Sequence, residues 1–329
     1  MGRDGFDMQE EQYADLYWDR EPAEIEKFIA QLAPIVLFTY NRLKHTKQTI
    51  EALQENVYAS DSELFIYSDA PKTDKAVAEV KAVRDYLHSI NGFKKITIIE
   101  RDENWGLARN IIDGVTSIVN KYGKIIVLED DIVTSKYFLK YMNDALKVYE
   151  AQGKVIMING YLYPIENEDL PETFFVKMGG CWGWATWADK WQYFSREPQK
   201  IRDSFTDEDI YKFNFEGKAV GYFSQIIDNC EGRLYTWAIF WMVVVFRKGY
   251  SLNPSHPLCK NIGHDASGVH CGANNCFDVD LNLDSIEKFP VSIVESDVAH
   301  VRIGAFMQKI SNVPLWRKIL HYIKKKILC

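Results

Sequence analysis

"KIIVLEDDIVTSKYF", residues 124–138, is the stretch on which the fold turns. Ile125, Ile126, Val127 and Leu128 form an apolar run that ends on Glu129, Asp130 and Asp131, after which an apolar pattern resumes. Adjacent carboxylates repel, and near a core they are costly unless paired or bound to a cation. A short buried strand that delivers three acids to a rim explains the pattern. A solvated acidic turn is the plainer alternative.

The surrounding sequence supports the strand. Upstream, "PIVLFTY" (34–40), "ELFIYSDAP" (63–71) and "KKITIIERDEN" (94–104) are β-forming runs, each followed by a stretch of helical spacing. The helix after the third run closes at Gly123, and another helix, "KYFLKYMNDALKVYEA", follows the acids. Strand–helix alternation at these lengths predicts parallel βαβ units in an α/β, doubly wound, mostly parallel sheet flanked by helices. In such sheets ligands bind beyond the carboxyl ends of the strands. Tyr40, Asn41, Arg42, Ser68, Asp69, Asn104 and the acid triplet all follow strand ends, so one rim collects them. After "KVIMINGYLYP" (154–164) the alternation stops, and an irregular, aromatic-rich C-terminal half is expected to shape a pocket.

Composition limits the function classes. With 47% hydrophobic and 26% charged residues, the chain has ordinary globular composition. A net charge of −7 argues against a nucleic-acid partner. The acidic, polar start does not read as a secretory signal, so a cytoplasmic location with the six Cys reduced is expected. The expected organisation is a helical lead-in (1–32), a strand–helix half that carries the ligand rim (33–155), an irregular half of the same domain (156–300) and a basic amphipathic C-terminal helix (301–329). That last segment sets Leu315, Trp316, Ile319 and Ile323 beside Arg317, Lys318 and Lys324 to Lys326. It suggests peripheral contact with the inner face of an anionic membrane; a helix packed on its own domain is the alternative.

Carboxylates at a strand end suit a hard divalent cation, Mn²⁺ or Mg²⁺, which takes oxygen ligands and bridges to phosphates. "IIVLEDDIVTSKYFLKYMNDAL" resembles the metal-binding segment of GT-A glycosyltransferases. Within that group it is most similar to the N-acetylglucosaminyltransferase I-like enzymes and their bacterial polysaccharide-assembly relatives. "FTYNR", "SDAP" and "NWGLARNI" precede the triplet in the family's order, and "CWGWATW" and "NIGHDASGVH" resemble later segments. The resemblance implies that residues 33–155 are a nucleotide-sugar-binding half and 156–300 an acceptor-binding half, that Tyr40, Arg42 and Arg109 meet the nucleotide and that Asp69 reads the base edge. It places Glu129 and Asp130 near the ribose or the metal's shell, with Asp131 binding the metal. His270 is a possible further ligand, since some GT-A enzymes use a late His.

The general base is harder to find. The acid expected shortly before Gly183-Trp184 is missing, because "FFVKMGGCW" offers only Lys177, and Ala238 stands where "YTWAIFW" might carry another. Asp265, in a Gly-flanked loop with His264, and Asp189 remain. A turn role for Asp265 and an enzyme without a carboxylate base both stay open. Trp184 is expected to wall a sugar pocket, with His264 near the substrate, while Trp237 and Trp241 share a helical face that reads as core.

These expectations describe a metal-dependent transferase moving a sugar from a nucleotide-sugar donor, UDP-linked, to a glycan or lipid-linked saccharide acceptor in bacterial surface-polysaccharide synthesis. A non-catalytic nucleotide- or carbohydrate-binding module is the competing class. A sugar-nucleotide nucleotidyltransferase is weaker, because "FTYNRLKHT" lacks a Gly-rich phosphate loop.

Overall fold

The computed structural model describes residue 13 and residues 21–219, 221–265 and 275–311. A short helix α1 (Pro22–Ile29) precedes β1 (Ile35–Thr39), α2 (Leu43–Gln54), β2 (Glu63–Ser68), α3 (Val77–Leu87), β3 (Lys95–Glu100), α4 (Leu107–Tyr122) and β4 (Lys124–Glu129). Next come β5 (Ile132–Thr134), α5 (Phe138–Val148), β6 (Val155–Asn159), β7 (Thr173–Val176), β8 (Trp184–Trp187), α6 (Ala188–Trp191), α7 (Pro198–Asp203), α8 (Asp207–Phe213) and α9 (Gly221–Cys230). The described order ends with α10 (Ala238–Lys248), β9 (Tyr250–Pro254), β10 (Cys259–Asn261) and α11 (Asp297–Ile310).

Eight strands form one sheet in the order β3-β2-β1-β4-β8-β6-β9-β7. Strands β3, β2, β1 and β4 are mutually parallel, β8 runs against both β4 and β6, β9 is parallel to β6, and β7 is antiparallel to β9. The mostly parallel α/β sheet is therefore as the alternation predicts.

Because side chains alternate along a strand, each strand feeds two apolar layers. Ile35 and Leu37 of β1, with Ile126 and Leu128 of β4, pack under α2, α3 and α5. Val36, Phe38, Ile125 and Val127 face α4, α6 and α10 on the other side. Strands buried on both faces read as continuous hydrophobic runs, which is why "IVLFT" and "IIVL" stood out.

Strand β6 falls in "KVIMINGYLYP", where one more strand is expected, but the rest of the second half departs from expectation, since it supplies β7, β8 and β9 and so builds scaffold as well as loops. Its strands of four or five residues are buried on both faces and show no alternation. Helix α11 then covers β7 through Ala299, Ile303 and Met307 against Phe174 and Val176. The basic segment 312–329 lies outside the described residues. Among those described, no helix is long and apolar enough to cross a membrane.

Candidate active site

Strands β1 and β4 are parallel neighbours, so the residues after Thr39 and after Leu128 emerge together. Arg42, at the start of α2, lies over the triplet. Its Nη2 donates to Asp131 Oδ2 at 2.8 Å and also to Asp130 Oδ1. Both acids are buried, at 4% and 6% exposure. The Thr49 hydroxyl donates to the Asp130 carbonyl at 2.9 Å, fixing α2 to the acid turn.

A segment distant in sequence closes the other side. Strand β10 pairs with β5, which directly follows the triplet, and the Ile262 N–H donates to the Asp131 carbonyl at 2.9 Å. This brings Gly263 against the acid: a Cβ there would stand 2.1 Å from Asp131 Oδ2 and 3.0 Å from Arg42 Nη1. Real Cβ atoms do not approach that closely, so glycine is required by contact. His264 and Asp265 follow at once. Asp265 Oδ2 lies 3.1 Å from Nε2 of the buried His45 on α2.

Burial dominates the electrostatics. Desolvation, followed by the charges of Asp131 and Asp130, raises the Glu129 carboxyl well above its usual range. Burial pushes Asp130 up to about 6 against the opposing pull of Arg42. Burial would lower Arg42, but Asp130 and Asp131 outweigh it and hold the guanidinium charged. His264 is lowered by burial, with the charge of Asp131 opposing, which favours its neutral form.

Several atoms here are buried and have no hydrogen-bond partner among the described residues: Arg42 Nη1, Asp130 Oδ2, Asp131 Oδ1 and His264 Nε2. Buried polar atoms are normally satisfied, so such a cluster points to a ligand. Two of them are hard carboxylate oxygens, which fits Mn²⁺ or Mg²⁺ held by one or two acids and completed by phosphate oxygens. Among the described residues no three His, Cys, Asp or Glu side chains could hold a metal by themselves, so most of its ligands would come from elsewhere.

Beside this centre Asp69 holds a turn. Its Oδ1 accepts from the N–H groups of Ala70 at 3.0 Å and Trp105 at 2.9 Å. Its Oδ2 accepts from the Gly106 N–H at 2.9 Å and Asn104 Nδ2 at 3.0 Å. A carboxylate offers about four lone-pair sites, and all are used. The expected contact with a base edge thus gives way to a structural one: Asp69 builds the 104–106 turn that enters α4. Gly106 enters that helix at φ 71°, a conformation that favours glycine. The Trp105 ring lies between two guanidinium groups, Arg101 at 3.7 Å and Arg109 at 3.8 Å from its centroid. Arg109 also pairs with Glu103 at 3.4 Å on the exposed side. Tyr40 stands next to this turn's neighbour, its hydroxyl accepting from the Lys72 N–H at 3.0 Å.

Two expected residues are not in the site. Asp189 lies at the opposite rim, because β8 runs antiparallel and Trp187 pairs with Lys124, the first residue of β4. Its carboxylate pairs with Lys190 instead. Trp184 has no exposure. It stacks on Trp237 at 5.4 Å and lies close to Trp191 and Trp241, so it is core and not a pocket wall. The ring that reaches the site is Trp182, 5.3 Å from His264 and 4.7 Å from Tyr161. His45 is a side chain the sequence does not single out, and Trp182 reads there only as one of four tryptophans, with Trp184, Trp187 and Trp191, that could form a platform for sugar rings. Only the direction of β8 separates Trp182 from Trp184, and His45 reads as an ordinary helix residue. His270 lies outside the described residues.

Over residues 35–203, more than half of the chain, the sequence matches the family model described as "Glycosyl transferase family 2". Solved structures that align with the chain include S. aureus TarS 1–349, with 10% identity and a TM-score of 0.37. The alignment covers 69% of this chain and 59% of that one, so this chain spans less than two thirds of TarS 1–349. A mannosyltransferase from Pyrobaculum calidifontis, PcManGT, solved with GDP-Man and Mn²⁺, shares 11% identity at a TM-score of 0.36, covering 70% of this chain and 74% of its own. A UDP-glucose pyrophosphorylase solved with UDP-glucose shares 12% identity at 0.34, covering 68% and 90%. No curated protein sequence matches the chain.

Proposed function

Because the chain belongs to glycosyl transferase family 2 and is a GT-A glycosyltransferase, we propose that the Asp130–Asp131 rim receives a nucleotide-sugar donor, UDP-linked, together with Mn²⁺ or Mg²⁺. On this reading the acceptor is a glycan, lipid-linked, and the product a bacterial surface polysaccharide made at the inner face of the cytoplasmic membrane. The observation that carries the proposal is the buried acid pair: two carboxylates at the carboxyl end of a parallel strand, each with one oxygen lacking a partner among the described residues.

When bound, the divalent ion would offset the charge that builds on the departing diphosphate. Asp131 and Asp130, each with a buried oxygen that lacks a partner among the described residues, would hold it. Arg42 Nη1, buried with no partner among the described residues, would donate to a phosphate oxygen. Tyr40, Arg109 and the turn held by Asp69 border the nucleoside. Trp182 and His264 present aromatic surface to the sugar. Asp265, oriented by His45, takes the proton from the acceptor hydroxyl.

One observation favours a second reading, a binding module without turnover: Asp265 is already engaged by His45. Titration of UDP in the presence of Mn²⁺, followed by UDP release from UDP-sugars, separates the two. Asp131→Asn is expected to weaken metal-dependent UDP binding at least tenfold while the fold is retained. Tight binding with no release from any sugar donor would favour the module. Binding indifferent to Asp131 would overturn both.

A further inference from the structure

Arg42 makes an arrangement that a simple donor site does not need. One guanidinium nitrogen, Nη2, serves both Asp130 and Asp131. The side chains are enclosed, at 17% exposure for Arg42, 6% for Asp130 and 8% for Asp131, so water does little to screen the three charges. A divalent cation on Asp131 would approach an oxygen to within about 2.0–2.6 Å. There it would meet a permanent positive charge only 2.8 Å from Oδ2 of the same carboxylate. Two cations at such range repel strongly in a partly buried site.

The Arg42 Nη1 is buried beside Gly263 with no hydrogen-bond partner among the described residues. An anionic diphosphate within reach of Nη1 would take its open N–H through a charge-assisted pair and draw the guanidinium from the acids.

We infer that Arg42 is a built-in counter-ion which closes the Asp130–Asp131 pair to a free divalent cation and yields it to a cation arriving with a nucleoside diphosphate. The inference rests on the donor-site reading above and adds an order to it. Cation and diphosphate enter as a unit, and neither the cation alone nor an unrelated anion opens the pair.

Mn²⁺ binding to the full chain, followed by electron paramagnetic resonance with and without UDP, tests this without any turnover. In the unaltered protein UDP is expected to tighten Mn²⁺ at least tenfold. Arg42→Gln, which keeps the bulk and drops the charge, is expected to bind Mn²⁺ alone at least tenfold more tightly than the unaltered protein, with UDP then adding less than threefold. Arg42→Lys keeps the charge and should retain the dependence on UDP. If Arg42→Gln gains no affinity for Mn²⁺ alone while Asp131→Asn abolishes Mn²⁺–UDP binding, the counter-ion role is wrong and the donor site stands. If the unaltered protein binds Mn²⁺ equally with and without UDP, the ordering is wrong whatever Arg42→Gln does. If Asp131→Asn binds Mn²⁺ and UDP as the unaltered protein does, the donor reading itself fails and takes the inference with it. Should Arg42→Gln not fold, Arg42→Met takes its place, with the same expected gain in affinity for Mn²⁺ alone.

Discussion

Replacing Asp69 with Ala would strip the acceptor from four N–H groups at once. Leaving several enclosed donors unpaired is expected to cost about 2–4 kcal/mol, measurable as a lower urea midpoint. Nucleotide affinity should fall as well, because the 104–106 turn loses its anchor. A normal midpoint with weakened UDP binding would instead return Asp69 to the base edge. Sequence reading found this residue by its place after a strand, yet its role depends on three donors more than thirty residues away. Gly263 shows the opposite limit. Nothing in "NIGHDASG" signals that its α-carbon must pass beside a carboxylate, although the acid it touches was the first residue noticed. Asp130, Asp131, Asp265 and His264 were legible because strand ends and glycine-flanked loops are local features.

Among the elements, α11 carries a charge clamp at its first turn. His300 Nδ1 lies 3.0 Å from Glu295 and Nε2 lies 2.8 Å from Glu216, in the turn after α8. The hydrogen bond from Glu295 and then that from Glu216, acting against burial, raise His300 from 6.5 to about 9. A raised histidine stabilises the fold fully below its unfolded pKa and loses that contribution as pH climbs through the folded value. The clamp should therefore contribute about 2–3 kcal/mol near pH 6 and almost nothing above pH 10. Chemical unfolding of His300→Gln beside the unaltered protein would show the gap closing across that window. A gap that does not change with pH would mean the ring acts only by packing.

The first four strands could be read because each is built on a short apolar run with a helical pattern downstream. Strand β8, "WATW", could not, because four residues buried on both faces carry no period to recognise. The errors over Trp184 and Asp189 follow from that one strand, since its direction decides which end meets the acids.

At the scale of the whole molecule the site has no single owner. Arg42, Asp69, Asp131 and Asp265 come from different connections, and β10 on β5 ties the last of them to the triplet. A ligand bound there stabilises only the assembled chain. Mn²⁺ with UDP at a hundred times its dissociation constant should add about 2.7 kcal/mol, raising the melting temperature by about 4 °C in one transition. Scanning calorimetry with each component alone should show much smaller shifts. Equal shifts from Mn²⁺ alone would point to a metal site independent of the nucleotide.

The position of β8 also bears on how the chain is made. On a ribosome, β3, β2, β1 and β4 emerge first and can pair among themselves, but the outer edge of β4 waits for β8. Roughly 60 residues separate the two, or about 3–12 s of synthesis at ordinary rates. Throughout that interval the strand leading to the acid triplet presents bare backbone N–H and C=O groups, the kind of edge that recruits wrong partners. A nascent chain paused before Trp187 is then the form most open to mispairing, and rapid translation through the tryptophan-rich stretch would shorten its lifetime.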